Sequence, residues 1–130
     1  MQSLNLIAGS LLFAAAISIT IMVPPEPQTV DDPWFQSAVL ENTRPVVVKF
    51  GADWCPPCRA MDAALAKVKG SFPQARFVTI NVTQKPKLFR AFQSGSGIPQ
   101  IVIFKDGLVT ARTRGFPGDA ALTSWLQNGL

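Results

Sequence analysis

The chain has no histidine and no tyrosine, and only two cysteines in 130 residues. Each shortage removes chemistry. Imidazole is the commonest metal ligand and the usual general base near neutral pH, so its absence excludes His-based catalysis and His-ligated metal centres. Two cysteines cannot complete a tetrahedral zinc site or a four-cysteine iron–sulfur cluster within the chain. Without tyrosine, few side chains remain that exchange protons near neutrality. Charge is sparse as well, at 15% of residues against 48% apolar, which fits a globular domain with an added apolar segment. What remains is the chemistry of sulfur.

Charge is scarcest at the start. Leu4 to Val23, LNLIAGSLLFAAAISITIMV, is a run of 20 residues with no charged side chain, about the length a helix needs to cross a bilayer. Residues 1–23 therefore read as an uncleaved membrane anchor. A secretory signal cut after Ala16 and a buried soluble helix are the alternatives, although the apolar run continues through ISITIMV beyond Ala16. No Lys or Arg precedes Arg44, so the positive-inside rule says little. The expected arrangement puts a short N-terminus inside and the main domain on the periplasmic or other extracytoplasmic side, with secretion after cleavage as the alternative. PPEPQ, residues 24–28, reads as an extended spacer, and residues 29–130 have the length of one domain.

Residues 33–130 carry all twelve Lys and Arg against five acids. A basic domain near a membrane would suit anionic lipid or acidic partners. The basic residues are scattered, with no stripe interleaved with aromatics, so they read as a solvated surface and no nucleic-acid partner is expected.

The pattern predicts a short strand at Gln28–Val30, then a helix with Asp32 as N-cap and Pro33 at its first position. PVVVKF (45–50) is a β-branched run that reads as a buried strand. CRAMDAALAKVK is an amphipathic helix with Met61, Leu65 and Val68 on related turns. ARFVTINV (75–82) is a strand, KPKLFRAFQS (85–94) a short helix and IPQIVIFK (98–105) another strand. Asp106-Gly107 is a hairpin turn into LVTARTR, and GDAALTSWLQNGL is a closing helix. The expected order is β-α-β-α-β-α-β-β-α, an α/β domain with a mixed central sheet flanked by helices.

Trp54-Cys55-Pro56-Pro57-Cys58 stands at a strand-to-helix junction, about forty residues before Gly97-Ile98-Pro99, with IVIFKDG and Gly115 following. In this the chain resembles the thioredoxin family over roughly residues 28–130. The resemblance implies a thioredoxin fold and a redox disulfide between Cys55 and Cys58. Two intervening residues in the first helical turn bring two sulfurs within bonding range. Cys55, at the helix N-terminus, would be the nucleophile, its thiolate favoured by the dipole and by free N–H groups. Cys58 would resolve the mixed disulfide. Pro56 and Pro57 fit a helix start but remove two N–H donors, which favours a reductant over a strong oxidant. A purely stabilising disulfide would gain little from so small a ring, and a bis-thiolate metal site would need ligands from a partner.

By the same resemblance Pro99 is a cis-proline facing the cysteines, leaving the Ile98 backbone to pair with an extended substrate, and Trp54 is an exposed aromatic beside the nucleophile. An ordinary trans proline and a packed tryptophan are the plainer readings. Three positions depart from the family. Lys49 stands where a buried Asp is common, six residues before the first cysteine. Thr79 stands where many relatives have a lysine, and Ala63 where a proline kinks the helix. Lys49 could stabilise a Cys58 thiolate, act as a neutral base, or reach solvent.

The expected activity is dithiol exchange that reduces protein disulfides. It needs no cofactor, because the two sulfurs carry the electrons. Disulfide-containing proteins would be the substrates, and a redox partner such as a membrane electron carrier would recycle the pair. The alternatives are a disulfide oxidase or isomerase and a non-enzymatic peptide-binding assembly module.

Overall fold

A computed structural model describes residues 20–130. Most of the apolar run Leu4–Val23 lies outside the described residues, and within them no helix is long and apolar enough to cross a membrane. The elements are α1 (Pro33–Phe35), continued by a π-helical turn at Gln36–Leu40, then β1 (Val46–Gly51) and α2 (Pro56–Val68). After a 3₁₀ turn at Lys69–Ser71 come β2 (Arg76–Asn81), α3 (Pro86–Phe92), β3 (Gln100–Lys105), β4 (Leu108–Arg114) and α4 (Asp119–Gly129).

The strand expected at Gln28–Val30 is absent. Residues 20–30 have no regular structure. Gln28 N–H makes one bond to Gly107 O at 3.3 Å, and one ladder bond does not extend a sheet. The PPEPQ spacer thus ends by touching the β3–β4 turn. The later elements fall within two residues of their expected bounds, and α2 starts at Pro56, as the two prolines after Cys55 imply.

The sheet order is β2-β1-β3-β4, with β1 parallel to β2 and antiparallel to β3, and β4 antiparallel to β3. The sheet is mixed, as expected. Side chains alternate across it. Val46, Val48 and Phe50 of β1 join Val102 and Phe104 of β3 on one face, under Phe35, Val39, Leu88 and Phe92. There Phe92 meets Phe104 edge-on at 5.0 Å and stacks on Phe35 at 5.3 Å. Val47, Ile101 and Ile103 point the other way, onto Met61 and Leu65 of α2 and Leu122 and Leu126 of α4. By this alternation Lys49 belongs to the α2 face.

Asp32 secures the N-terminal side of the first layer. Its Oδ1 accepts from Phe35 N at 2.9 Å, and its Oδ2 accepts from Lys85 Nζ at 2.5 Å. The Lys85 bond, then the Phe35 N–H, hold its carboxyl below the usual carboxylate range. A folded-state value below the unfolded one adds stability that is fully present above the unfolded value of about 4 and lost as pH falls through the folded one. Asp32→Ala is expected to lower the unfolding free energy by about 1 kcal/mol at neutral pH. The difference from wild type should narrow as the pH falls below the unfolded value of about 4 and through the lowered folded one, which urea unfolding across a pH series measures.

Candidate active site

β1 ends at Gly51, and the chain turns through Ala52–Trp54 into α2. Cys55 is the N-cap of that helix, in extended conformation at φ −100° and ψ 107°. Pro56 and Pro57 fill the first two helical positions and have no N–H to offer. The first helix amide free to face the cap is therefore that of Cys58, which donates to Cys55 Sγ at 3.3 Å. The two cysteines form a disulfide with their Cα atoms 5.2 Å apart. Cys55 keeps 4% of its surface exposed and Cys58 none, so the first sulfur is the one a partner reaches.

Ile98 and Pro99 lie across from this turn, and the bond between them is cis. Ile98 O is 4.0 Å from Cys55 Sγ, and Ile98 packs with Ala52, Cys55, Cys58 and Val82 in one small apolar cluster. No backbone hydrogen bond among the described residues engages Ile98. A shallow groove runs along Ser96–Pro99, with Arg114 and Gly115 on its other side. Trp54 stands at the edge of the cysteine turn, 70% exposed rather than packed.

Lys49 is 3% exposed, beneath the first turns of α2. Its Nζ donates to Asp62, on α2, whose side chain is 48% exposed. The lysine is thus buried as one half of an ion pair and does not reach solvent itself.

A family model for thioredoxin matches residues 26–128. The chain belongs to the thioredoxin family. It is 36% identical over 104 residues to a thioredoxin of Mycolicibacterium smegmatis, covering 78% of this chain and 92% of that one. It is 30% identical over 102 residues to a thioredoxin of Acidithiobacillus ferridurans, covering 78% and 94%. One similar solved chain comes from a structural study of thiol resolution in yeast mitochondrial 1-Cys peroxiredoxin via glutathione and thioredoxin systems. It superposes with a TM-score of 0.67 at 24% identity, over 78% of this chain and 93% of that one. That likeness shows the fold. With its paired cysteines, this family member is a thiol–disulfide oxidoreductase.

The structure brings Cys55, Cys58, Ile98 and Pro99 together, with Trp54 at the rim and Lys49 behind. Two residues of the site escaped the sequence reading. Asp62 lies four positions after Cys58, the spacing that puts two side chains on one helix face, and that spacing was the available signal. Gln100 is the other. It is a polar residue opening an apolar strand, and it is 1% exposed. Its Oε1 accepts from Ser94 N at 2.8 Å, and its Nε2 donates to Gly95 O at 3.1 Å and Gly97 O at 2.8 Å. Those bonds fix the loop that delivers Ile98 and Pro99 to the cysteines. Gly95 and Gly97 adopt positive φ there, at 71° and 98°, a region open to glycine at little cost. Gln100→Leu would strand the loop's polar groups, at about 1–3 kcal/mol for each one left buried and unpaired. It is expected to lower the unfolding midpoint in urea and to slow reduction of a protein disulfide, with Cys55 and Cys58 intact.

Proposed function

We propose that this protein is a membrane-tethered reductase of protein disulfides, working by dithiol exchange through Cys55 and Cys58. The observation that carries this reading is the position of Cys55. It caps α2, it is the more exposed of the two sulfurs, and it lies 4.0 Å from the backbone oxygen of Ile98. In the reduced protein the Cys55 thiolate attacks one sulfur of a substrate disulfide, whose S–S bond breaks. The departing substrate sulfur takes the electron pair and a proton from solvent. Cys58 then loses its proton and attacks Cys55 Sγ. The mixed disulfide breaks, the intramolecular bond forms, and the second substrate sulfur leaves as a thiol. Two electrons pass from the protein dithiol to the substrate.

The Ile98 backbone would pair with an extended segment of the substrate, held by the cis-proline Pro99, while Trp54 supplies apolar contact at the rim. The direction follows from Pro56 and Pro57. With both amides removed, Cys58 N–H alone among the first three helix amides faces Cys55 Sγ, so the Cys55 thiolate is stabilised less than at an unblocked helix start. Weaker thiolate stabilisation makes the dithiol the better electron donor. An electron-carrying partner must then reduce the pair again, and a membrane electron carrier would suit a tethered domain.

The tether rests on the uncharged run Leu4–Val23, with the domain on the extracytoplasmic side. If so, the protein stays in the membrane fraction through alkaline carbonate washing. Recovery in the soluble fraction, shortened at its N-terminus, would identify a cleaved signal instead.

Equilibration of the purified protein in graded thiol–disulfide buffers should give a reduction potential near the thioredoxin value of about −270 mV, whereas a value near about −120 mV would mark a disulfide donor. Cys55→Ser should abolish reduction of a protein disulfide. Cys58→Ser should accumulate the mixed disulfide, visible on non-reducing gels. An assembly module that only binds peptides would keep its function in both variants.

A further inference from the structure

Lys49 is the one buried cation among the described residues, and the exchange derived above leaves it unused. Its surroundings give it a task. Lys49 Nζ and Cys58 Sγ each lie 3.1 Å from the point where a Cβ on Gly51 would stand, so the two are separated by at most twice that distance. Cys58 is fully buried, so little water screens the interaction. An opposite charge at such range favours the ionised form of a thiol. Asp62 holds the ammonium in place, and it lies on the same face of α2 as Cys58, one turn along. Asp62 is half-exposed. It borders a cleft of about 220 Å³ between α2 and β2, lined also by Val47, Leu65, Lys69 and Thr79.

We propose that the Lys49–Asp62 pair positions a positive charge to stabilise the Cys58 thiolate, making Lys49 and Asp62 positioning residues for the resolving step. When the mixed disulfide on Cys55 is resolved, the Cys58 S–H bond breaks and its proton passes to solvent. The sulfur keeps the electron pair, faces the Lys49 ammonium, and uses that pair to bond Cys55 Sγ while the substrate sulfur departs. The pair occupies the α2 side of β1, where the neighbouring strands contribute no competing charge. Lys49 is in register with Thr79 on β2 and Ile101 on β3. The remaining ionisable or charged groups nearby are Cys55 at the helix start, Arg59, whose guanidinium turns to Asp53 O at 3.5 Å, and Lys69 at the cleft.

The inference rests on Cys58 as the resolving thiol, but its test does not depend on the direction of electron flow. In the full chain carrying Cys55→Ser, Cys58 is the sole thiol, and its ionisation can be followed by ultraviolet thiolate absorbance against pH. Adding Lys49→Met should raise the midpoint by about one pH unit or more, a roughly tenfold loss of thiolate at a given pH below it. Adding Lys49→Arg instead, which keeps the positive charge, should leave it close to its starting value. That difference is the signature, since a purely structural role would not separate a lost charge from a retained one. An unmoved midpoint in Lys49→Met, or an equal rise in Lys49→Arg, overturns the proposal. Should Lys49→Met fail to fold, Lys49→Gln takes its place, with a raised midpoint supporting the proposal and an unmoved or lowered one refuting it. An oxidising potential for the wild-type protein would sink the reductase reading while leaving this titration intact.

Discussion

The first turn of α2 lies so close over the end of β1 that a side chain at Gly51 would crowd its neighbours. A Cβ there would stand 3.0 Å from Lys49 Cε and 3.1 Å from both Lys49 Nζ and Cys58 Sγ, closer than ordinary van der Waals contact allows. That approach settles the rest of the site. It brings Cys58 down onto the strand, where the sulfur is wholly buried, and leaves Cys55 at the lip of the turn. The Lys49 side chain runs in the same space between strand and helix. The asymmetry between an accessible and an inaccessible sulfur, on which ordered exchange depends, is thus a consequence of helix-on-strand packing.

The approach is sustained from both sides of the sheet. Met61 and Leu65 of α2 pack on Val47, Ile101 and Ile103 beneath them, while the phenylalanines of the opposite face keep β1 and β3 from shifting. Burying such side chains is worth about 1.5–3 kcal/mol each. The cysteine turn itself contains little apolar area, and its own cluster has only Ala52, Cys55 and Cys58 as buried members. The reactive turn is therefore held by packing one to three turns away, which leaves its outer edge open to a partner chain.

Much of this was legible in the sequence because its signals are local. The β-branched run at 45–50, the Pro-Pro helix start after Cys55, the Asp106-Gly107 turn and the Asp32-Pro33 cap each act over a few residues, and each appears where its chemistry predicts. The misses are of two kinds. Gln28–Val30 has a strand-like composition but meets only the edge of a turn, and no periodicity reveals whether a neighbouring strand is free to pair. Asp62 and Gln100 are ordinary polar residues in sequence. Their partners, Lys49 and the Ser94–Gly97 loop, are brought to them by strand alternation and loop closure, which are tertiary facts. Lys49 was conspicuous as a charge inside a buried strand, but its state was undetermined until its partner was known.

Stability gives no reason for a lysine at position 49. Buried ion pairs commonly cost about as much in desolvation as they return in attraction, and replacing one with well-packed apolar side chains is often neutral or stabilising by about 1–4 kcal/mol. The neighbours of Lys49 on the flanking strands are Thr79 and Ile101, surroundings in which a methionine or leucine would pack readily. A pair kept only for the fold would also be expected to have both members enclosed, yet Asp62 is 48% exposed while Lys49 is 3% exposed. Half of the pair is wet and half is dry, and the dry half adjoins the buried sulfur of Cys58. A charge placed in that way would stabilise a thiolate on a buried sulfur without opening the core to water, which a purely apolar side chain could not do.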